Sequence, residues 1–206
     1  MKTNLFNNKS NDVYCMYFDE EKGRSGLRMI NLNDLHTYIQ TGRLDNLPDL
    51  KKQDEAVKND FPADKRTELI MKLPGFTMGF KFTKDFLSKR FVEFKPSNLL
   101  VFDFIADGGD VLDKLEVLNQ LKCVLFSFNN YFGGKTLVVK TDNKKYDGTV
   151  WTFELINAIF GEWVGLSPDR DLGPNIVPLR YDPNVMYNPN AISFGEMIEN
   201  LDFAQC

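Results

Sequence analysis

One aspartate lies inside a strongly apolar run, in the segment Leu99-Leu100-Val101-Phe102-Asp103-Phe104-Ile105. A buried carboxylate costs several kcal/mol unless a partner or a metal ion compensates its charge. Metal-dependent phosphoryl-transfer enzymes use such acids as metal ligands, and two acids placed two residues apart point to one side of a strand. Residue 105 is isoleucine, so the pattern predicts one ligand of a nucleotidyl-transfer site without the second. The alternative, which we favour, is that Asp103 caps the following turn or pairs with a lysine.

Other carboxylates in neighbouring loops could add metal ligands. Asp107 and Asp110 follow the apolar run, and Asp169 and Asp171 lie in a loop rich in proline and aspartate. Aspartate is also common in turns and at helix N-termini, where its side chain accepts backbone hydrogen bonds. We therefore favour turn and cap roles for the first pair and a solvated loop for the second.

Phosphate-binding chemistry is suggested by Gly133-Gly134-Lys135. Successive backbone N–H groups and one ammonium group can cradle a phosphate, but Gly-Gly is also typical of hairpin turns, and we favour that reading. Lys140, Lys144 and Lys145 with Tyr146 form the best local basic and aromatic cluster, which could contact a nucleic-acid backbone or be a solvated loop.

Composition excludes several classes of protein. The 206 residues carry a net charge of −4, which argues against binding nucleic acid through bulk charge. Three isolated cysteines and the single His36 make a Cys/His zinc site improbable and favour a reducing, intracellular setting. No apolar run approaches the roughly 20 residues of a transmembrane helix, so we expect no membrane partner. The 18 phenylalanines predict an aromatic core, with base stacking as the alternative.

Hydrophobic periodicity predicts an α+β fold, with a mixed, mainly antiparallel sheet and helices packed on one face. We expect one compact unit in which residues 1–60 form an amino-terminal hairpin-and-helix extension to an α+β domain at residues 61–206. The first helix is expected to begin at a cap on Asn33 or Asp34 and to end at Gly42. The predicted strands are 13–18, 27–32, 76–82, 99–106, 124–128, 136–141 and 176–181, and the further helices are 47–59, 65–72, 111–122, 149–160 and 192–201.

The order of several motifs resembles one known family. Lys72-Leu73-Pro74-Gly75-Phe76 precedes the Asp103 strand and the turn at residues 127–135, and Gly165-Leu166-Ser167-Pro168-Asp169 follows them. The most specific motif is the last, YDPNVMYNPNA at residues 181–191. Together they resemble the VirE amino-terminal domain family, whose members occur in primase-like proteins of gut-bacterial mobile elements and phages. That family belongs with the archaeo-eukaryotic primase superfamily, so the resemblance implies a primase–polymerase-like core over about residues 13–195.

The resemblance implies a role for particular residues. Asp103 matches the first acid of the family's metal-binding pair, Asp169 matches its third acid, and Asp107 could supply a further metal ligand from the loop. Ile105 stands where the family has its second acid. Ser127 matches the start of the family's Ser-and-Gly turn, which here lacks the superfamily's phosphate-binding histidine.

Two positive residues could take over nucleotide binding in that implied site. Lys135 could replace the charge of the missing histidine on the nucleotide phosphate. Arg180 could replace an arginine that the superfamily has near residue 175. Both assignments belong to the resemblance and depend on its alignment with this chain.

These departures predict a primase-like domain with an eroded catalytic site. We expect an accessory module that binds nucleic acid or protein, with other replication, virion or mobile-element proteins and single-stranded DNA as partners. The alternative is an active primase that transfers nucleotides with Mg²⁺ or Mn²⁺. We expect the protein in the cytoplasm of a bacterial host, or associated with the virion if a phage encodes it.

Overall fold

The computed structural model describes residues 12–19, 24–59, 70, 73–77, 80–82, 94–96, 98–105, 110–131, 133–142, 150–166, 168 and 177–200. The chain forms two compact units. The first contains Met1–Thr77 and Ile176–Pro183, and the second contains Met78–Asn175 and Asn184–Cys206. The first unit therefore extends past the expected boundary near residue 60 and takes in a short segment from late in the chain.

A four-stranded antiparallel sheet forms the centre of the first unit. Strands β1 (Asp12–Asp19) and β2 (Arg24–Asn31) pair along their whole length, which confirms the predicted hairpin. Strand β3 (Gly75–Thr77) pairs with the other edge of β1, and β9 (Val177–Pro178) pairs with β3, which gives the order β2-β1-β3-β9. The prediction placed the strand at 176–181 in the sheet of the Asp103 strand, and this was wrong.

Two helices follow the hairpin, and local signals set their ends. Helix α1 (Leu32–Thr41) begins after Asn31, whose Oδ1 accepts a hydrogen bond from the Asp34 N–H at 2.9 Å. Asn31 is therefore the cap, in place of the predicted Asn33 or Asp34. Gly42 ends α1 with φ +76°, as predicted, because glycine adopts the left-handed conformation without a steric penalty. Helix α2 (Leu50–Asn59) begins three residues later than predicted.

The second unit contains another four-stranded antiparallel sheet, in the order β10-β7-β8-β6. Strands β7 (Val124–Asn129) and β8 (Lys135–Lys140) form the predicted hairpin, with a register irregularity between Val124 and Phe126. The acid-bearing strand β6 (Leu99–Asp103) pairs with β8, and β10 (Met186–Tyr187) pairs with β7.

One face of this sheet packs against helices. Their bounds are α3 (Val111–Asn119), α4 (Val150–Val164) and α5 (Phe194–Glu199). Side chains from all three helices pack against Leu100 and Phe102 of β6 and Leu137 of β8 in one hydrophobic core. Phe102 stacks on Phe153 of α4 at 4.7 Å between ring centroids. The α+β fold and the helices on one face of the sheet are thus confirmed. On α3, Leu115 and Leu118 are buried in this core, whereas Leu112 is 44% exposed.

One predicted strand is divided. The segment 76–82 contains β3 and a separate strand, β4 (Phe80–Phe82), which pairs with β5 (Phe94–Pro96) in the second unit. The predicted helix at 65–72 lies almost wholly outside the described residues. Within the described part of the chain, no helix is long and apolar enough to cross a membrane.

Candidate functional site

Asp103 occupies the last position of β6 and is 7% exposed. Its Oδ1 accepts two hydrogen bonds, from Asn130 Nδ2 at 2.8 Å and from Thr136 Oγ1 at 2.7 Å. Both donors are themselves buried. These bonds compensate a carboxylate that the apolar strand would otherwise leave without a partner. The sequence predicted a turn cap or a lysine partner for Asp103, and did not predict these two donors.

Asn130 connects Asp103 to the turn between β7 and β8. Its Nδ2 also donates to the Phe104 carbonyl at 2.8 Å, and its Oδ1 accepts from the Gly134 N–H at 3.1 Å. Its backbone N–H donates to the Gly134 carbonyl at 3.0 Å. Asp103 and Asn130 therefore hold the end of β6 against the Gly133-Gly134 turn. The contact between Asn130 and Asp103 was not predicted from the sequence.

Lys135 makes an ion pair with an acid of α3. Its Nζ lies 2.5 Å from Glu116 Oε1, and the lysine side chain is only 17% exposed. The hydrogen bond from Lys135 is the largest cause that holds the pKa of Glu116 below its usual value. The Lys135 ammonium group, which the sequence analysis assigned to a nucleotide phosphate, is thus paired with a carboxylate of the same unit.

Ser127 lies in the middle of β7 and is 2% exposed. Its registered partners are Leu137 on β8 and Met186 on β10, both of which pack in the helix-covered core. The Ser127 Oγ has no hydrogen-bond partner among the described residues. A hydroxyl buried in this way is closed to an incoming nucleotide.

The predicted site residues of the second unit lie on two faces of the sheet. Successive side chains of a strand point to opposite faces, and registered partners share a face. Leu137 faces the helices, so Lys135 and Ser127 do also. Asp103 pairs with Thr136 and therefore points to the opposite face. The sheet separates the acid from the serine and the lysine.

Arg180 belongs to the first unit, whereas Asp103, Ser127 and Lys135 belong to the second. Arg180 follows β9, and its Nε lies 3.4 Å from Asp54 Oδ1 on α2. Asp54 is fully buried and also pairs with Lys58. Sequence reasoning missed this cluster, because Asp54 and Arg180 lie far apart in the sequence.

The remaining candidates add no described metal ligand. Asp107 and Asp169 lie outside the described residues, as do Asp171 and the Lys144, Lys145 and Tyr146 cluster. Asp110 precedes α3 and pairs with Lys114 at 2.8 Å. Among the described residues, no three His, Cys, Asp or Glu side chains are placed to share a metal ion. Ile105 is 37% exposed.

Comparison of the chain with protein-family models, with curated proteins and with solved structures gives no match. The resemblance to the VirE amino-terminal domain family stays a prediction that rests on the sequence motifs. The geometry around Asp103, Lys135 and Arg180 is therefore the main guide to function.

Proposed function

We propose that this chain is a primase-like domain of a phage or mobile element that has lost nucleotidyl transfer. It serves as an accessory module that binds nucleic acid or protein in replication. One observation carries the proposal: Asp103 is bound by Asn130 and Thr136 on one face of the sheet, while Lys135 is bound by Glu116 on the other.

Metal-assisted phosphoryl transfer needs carboxylates that converge on one or two metal ions, with cations placed against the phosphates. One carboxylate oxygen of Asp103 accepts hydrogen bonds from two neutral side chains, those of Asn130 and Thr136. Residue 105, two positions further on, is an apolar isoleucine. Catalytic groups act as a unit, so the loss of several members costs orders of magnitude in rate. An eroded site agrees with this arrangement better than an active one.

A phosphate would also have to compete for Lys135. The ammonium lies in a charge-assisted contact with Glu116, and such contacts are stronger than neutral hydrogen bonds. Releasing the lysine would leave the Glu116 carboxylate without its closest cation. This contact favours a structural role for Lys135 over nucleotide binding.

A template-extension assay tests the proposal. The purified protein is incubated with Mg²⁺ or Mn²⁺, labelled nucleotides and a single-stranded DNA template, and the products are separated by length. We expect no template-dependent product with either metal.

The opposite result would favour the alternative, an active metal-dependent primase. In that case extension would vanish in Asp103→Asn and Asp169→Asn, which remove charge and keep the size of the side chain. Asp113→Asn on the exposed surface of α3 is the matched control and would retain activity. That pattern would overturn the proposal.

A further inference from the structure

In the first unit one lysine lies over an aromatic ring, and two further positive side chains meet a buried aspartate of the same helix. Lys51 of α2 places its Nζ 5.5 Å from the centroid of the Tyr181 ring. Next to Tyr181 in the chain, Arg180 pairs with Asp54 of α2, and Lys58 pairs with the same carboxylate. We name Lys51, Lys58, Arg180 and Tyr181 the α2 cationic face.

Asp54 holds two of these cations in place. Its side chain is 1% exposed, so its charge requires paired cations. One buried carboxylate meets two positive groups, and these remain in reach of solvent, with side-chain exposures of 46% for Lys58 and 24% for Arg180. The pairing fixes the positions of the cations and leaves one positive charge in excess.

Lys51 adds a positive charge on the same side of the helix. Lys51 and Lys58 are seven residues apart, which is two helical turns or about 10 Å. Among the described residues the ammonium of Lys51 has no ion-pair partner and meets the π-face of Tyr181 instead. With Lys51 the local excess is two positive charges, and the carboxylate of Glu55, which is exposed between the two lysines, lowers this excess to one. In a chain of net charge −4, this is a cationic region on an acidic protein.

We propose that the α2 cationic face binds the phosphate backbone of single-stranded nucleic acid, and that a base stacks on the Tyr181 ring when Lys51 moves from the ring to a phosphate. Lysine and arginine groups bind phosphates, and an aromatic ring beside them is the combination that single-strand binders use. The inference deepens the proposed accessory function by naming the partner and the surface. It does not depend on whether the second unit transfers nucleotides.

Binding of a fluorescent oligothymidine of about 16 nucleotides, followed by anisotropy over a salt series, tests this surface. The slope of log affinity against log salt is negative, and its magnitude decreases by about 0.7 for each lost single-strand phosphate contact. We therefore expect Lys51→Ala/Lys58→Ala to decrease the magnitude of the slope by about 1.4 and to weaken binding at every salt concentration. Glu55→Gln removes the interfering carboxylate and should strengthen binding.

Lys114→Ala/Lys122→Ala is the matched control. It removes the same charge from the second unit, where both lysines lie on the surface, and should leave the slope unchanged. Because Lys58 pairs with a buried acid, Lys51→Ala alone is the second variant, and it should decrease the magnitude of the slope by about 0.7 without loss of thermal stability.

Three results would overturn the inference. They are an absence of oligothymidine binding by the wild-type protein, equal effects of the test and control variants, and equally tight binding of poly-glutamate. The last result would reassign the surface to acidic protein segments. None of these results changes the outcome expected in the extension assay. Nucleic-acid binding by the α2 cationic face can therefore be rejected without rejecting the proposed loss of nucleotidyl transfer.

Discussion

Asp103 and Thr136 face each other across β6 and β8, and the threonine hydroxyl donates to Asp103 Oδ1 at 2.7 Å. Thr136 is 1% exposed, and the second donor, Asn130, is 5% exposed. The carboxylate thus satisfies two buried donors from the hairpin that follows it in the chain. Such a contact stabilises the sheet whether or not the acid ever binds a metal ion.

Replacing Asp103 should therefore cost stability. Asp103→Ala leaves two buried donors without their acceptor, and each unsatisfied group costs about 1–3 kcal/mol. We expect the free energy of unfolding to fall by about 2–6 kcal/mol in total. Urea unfolding of the wild type and the variant, followed by circular dichroism, gives the difference.

Two further variants make that measurement specific. Asp103→Asn keeps one acceptor oxygen and should lose less than Asp103→Ala. Asp113→Ala removes an exposed carboxylate from α3 and should change stability by less than about 0.5 kcal/mol. If Asp103→Ala were as stable as Asp113→Ala, the structural role of Asp103 would be wrong.

Two glycines should respond to alanine in opposite directions. At Gly42, φ is +76°, a conformation that residues with a side chain rarely adopt. A Cβ added there would lie 2.7 Å from Lys51 Cβ and 2.9 Å from Lys51 N. Gly42→Ala should therefore destabilise the protein by more than about 1 kcal/mol. Gly161 lies within α4, and a Cβ added there would have open space around it, so Gly161→Ala should stabilise the protein by up to about 1 kcal/mol. Thermal unfolding of the wild type and the two variants gives both changes in melting temperature. A loss of stability at Gly161 would contradict the open space there.

Acid should weaken the contact between α3 and β8. Lys135 holds the pKa of Glu116 below its ordinary value of 4.5. The contribution of the pair to stability is therefore complete above pH 4.5 and is lost as the pH falls through the lowered pKa. Because the Glu116 side chain is 59% exposed, solvent screening limits the effect to less than about 1 kcal/mol.

The measurement compares Glu116→Gln with the wild type. Their difference in melting temperature should be largest near neutral pH and should shrink on acidification and in high salt. A difference independent of both pH and salt would show that Glu116 acts through packing and not through its charge.

Local signals predicted the local structure well. The alternation of apolar residues gave both hairpins, and Gly42 marked the end of α1, because these features depend on residues near one another in sequence. The cap was displaced to Asn31 because the hairpin strand runs directly into the helix, and Asn31 is the last residue with extended backbone.

Pairing partners over long distances were not readable from the same signals. The alternation across residues 76–82 looks like one strand, yet β3 joins β1 while β4 joins β5. The site was harder still. Nothing in the spacing of Asp103 and Lys135 indicates that β8 directs the lysine to the helices, where Glu116 lies 19 residues earlier in the chain.

The position of β9 and β10 bears on synthesis. The segment that carries β9 returns to the first sheet only after the chain has passed through most of the second unit. Residues 184–199 then supply β10 and α5 to the second unit. During synthesis on the ribosome, neither sheet can therefore be completed before this late segment has been made. A nascent chain released after residue 175 would lack β9 and β10. Both sheets would then have exposed strand edges, which promote aggregation.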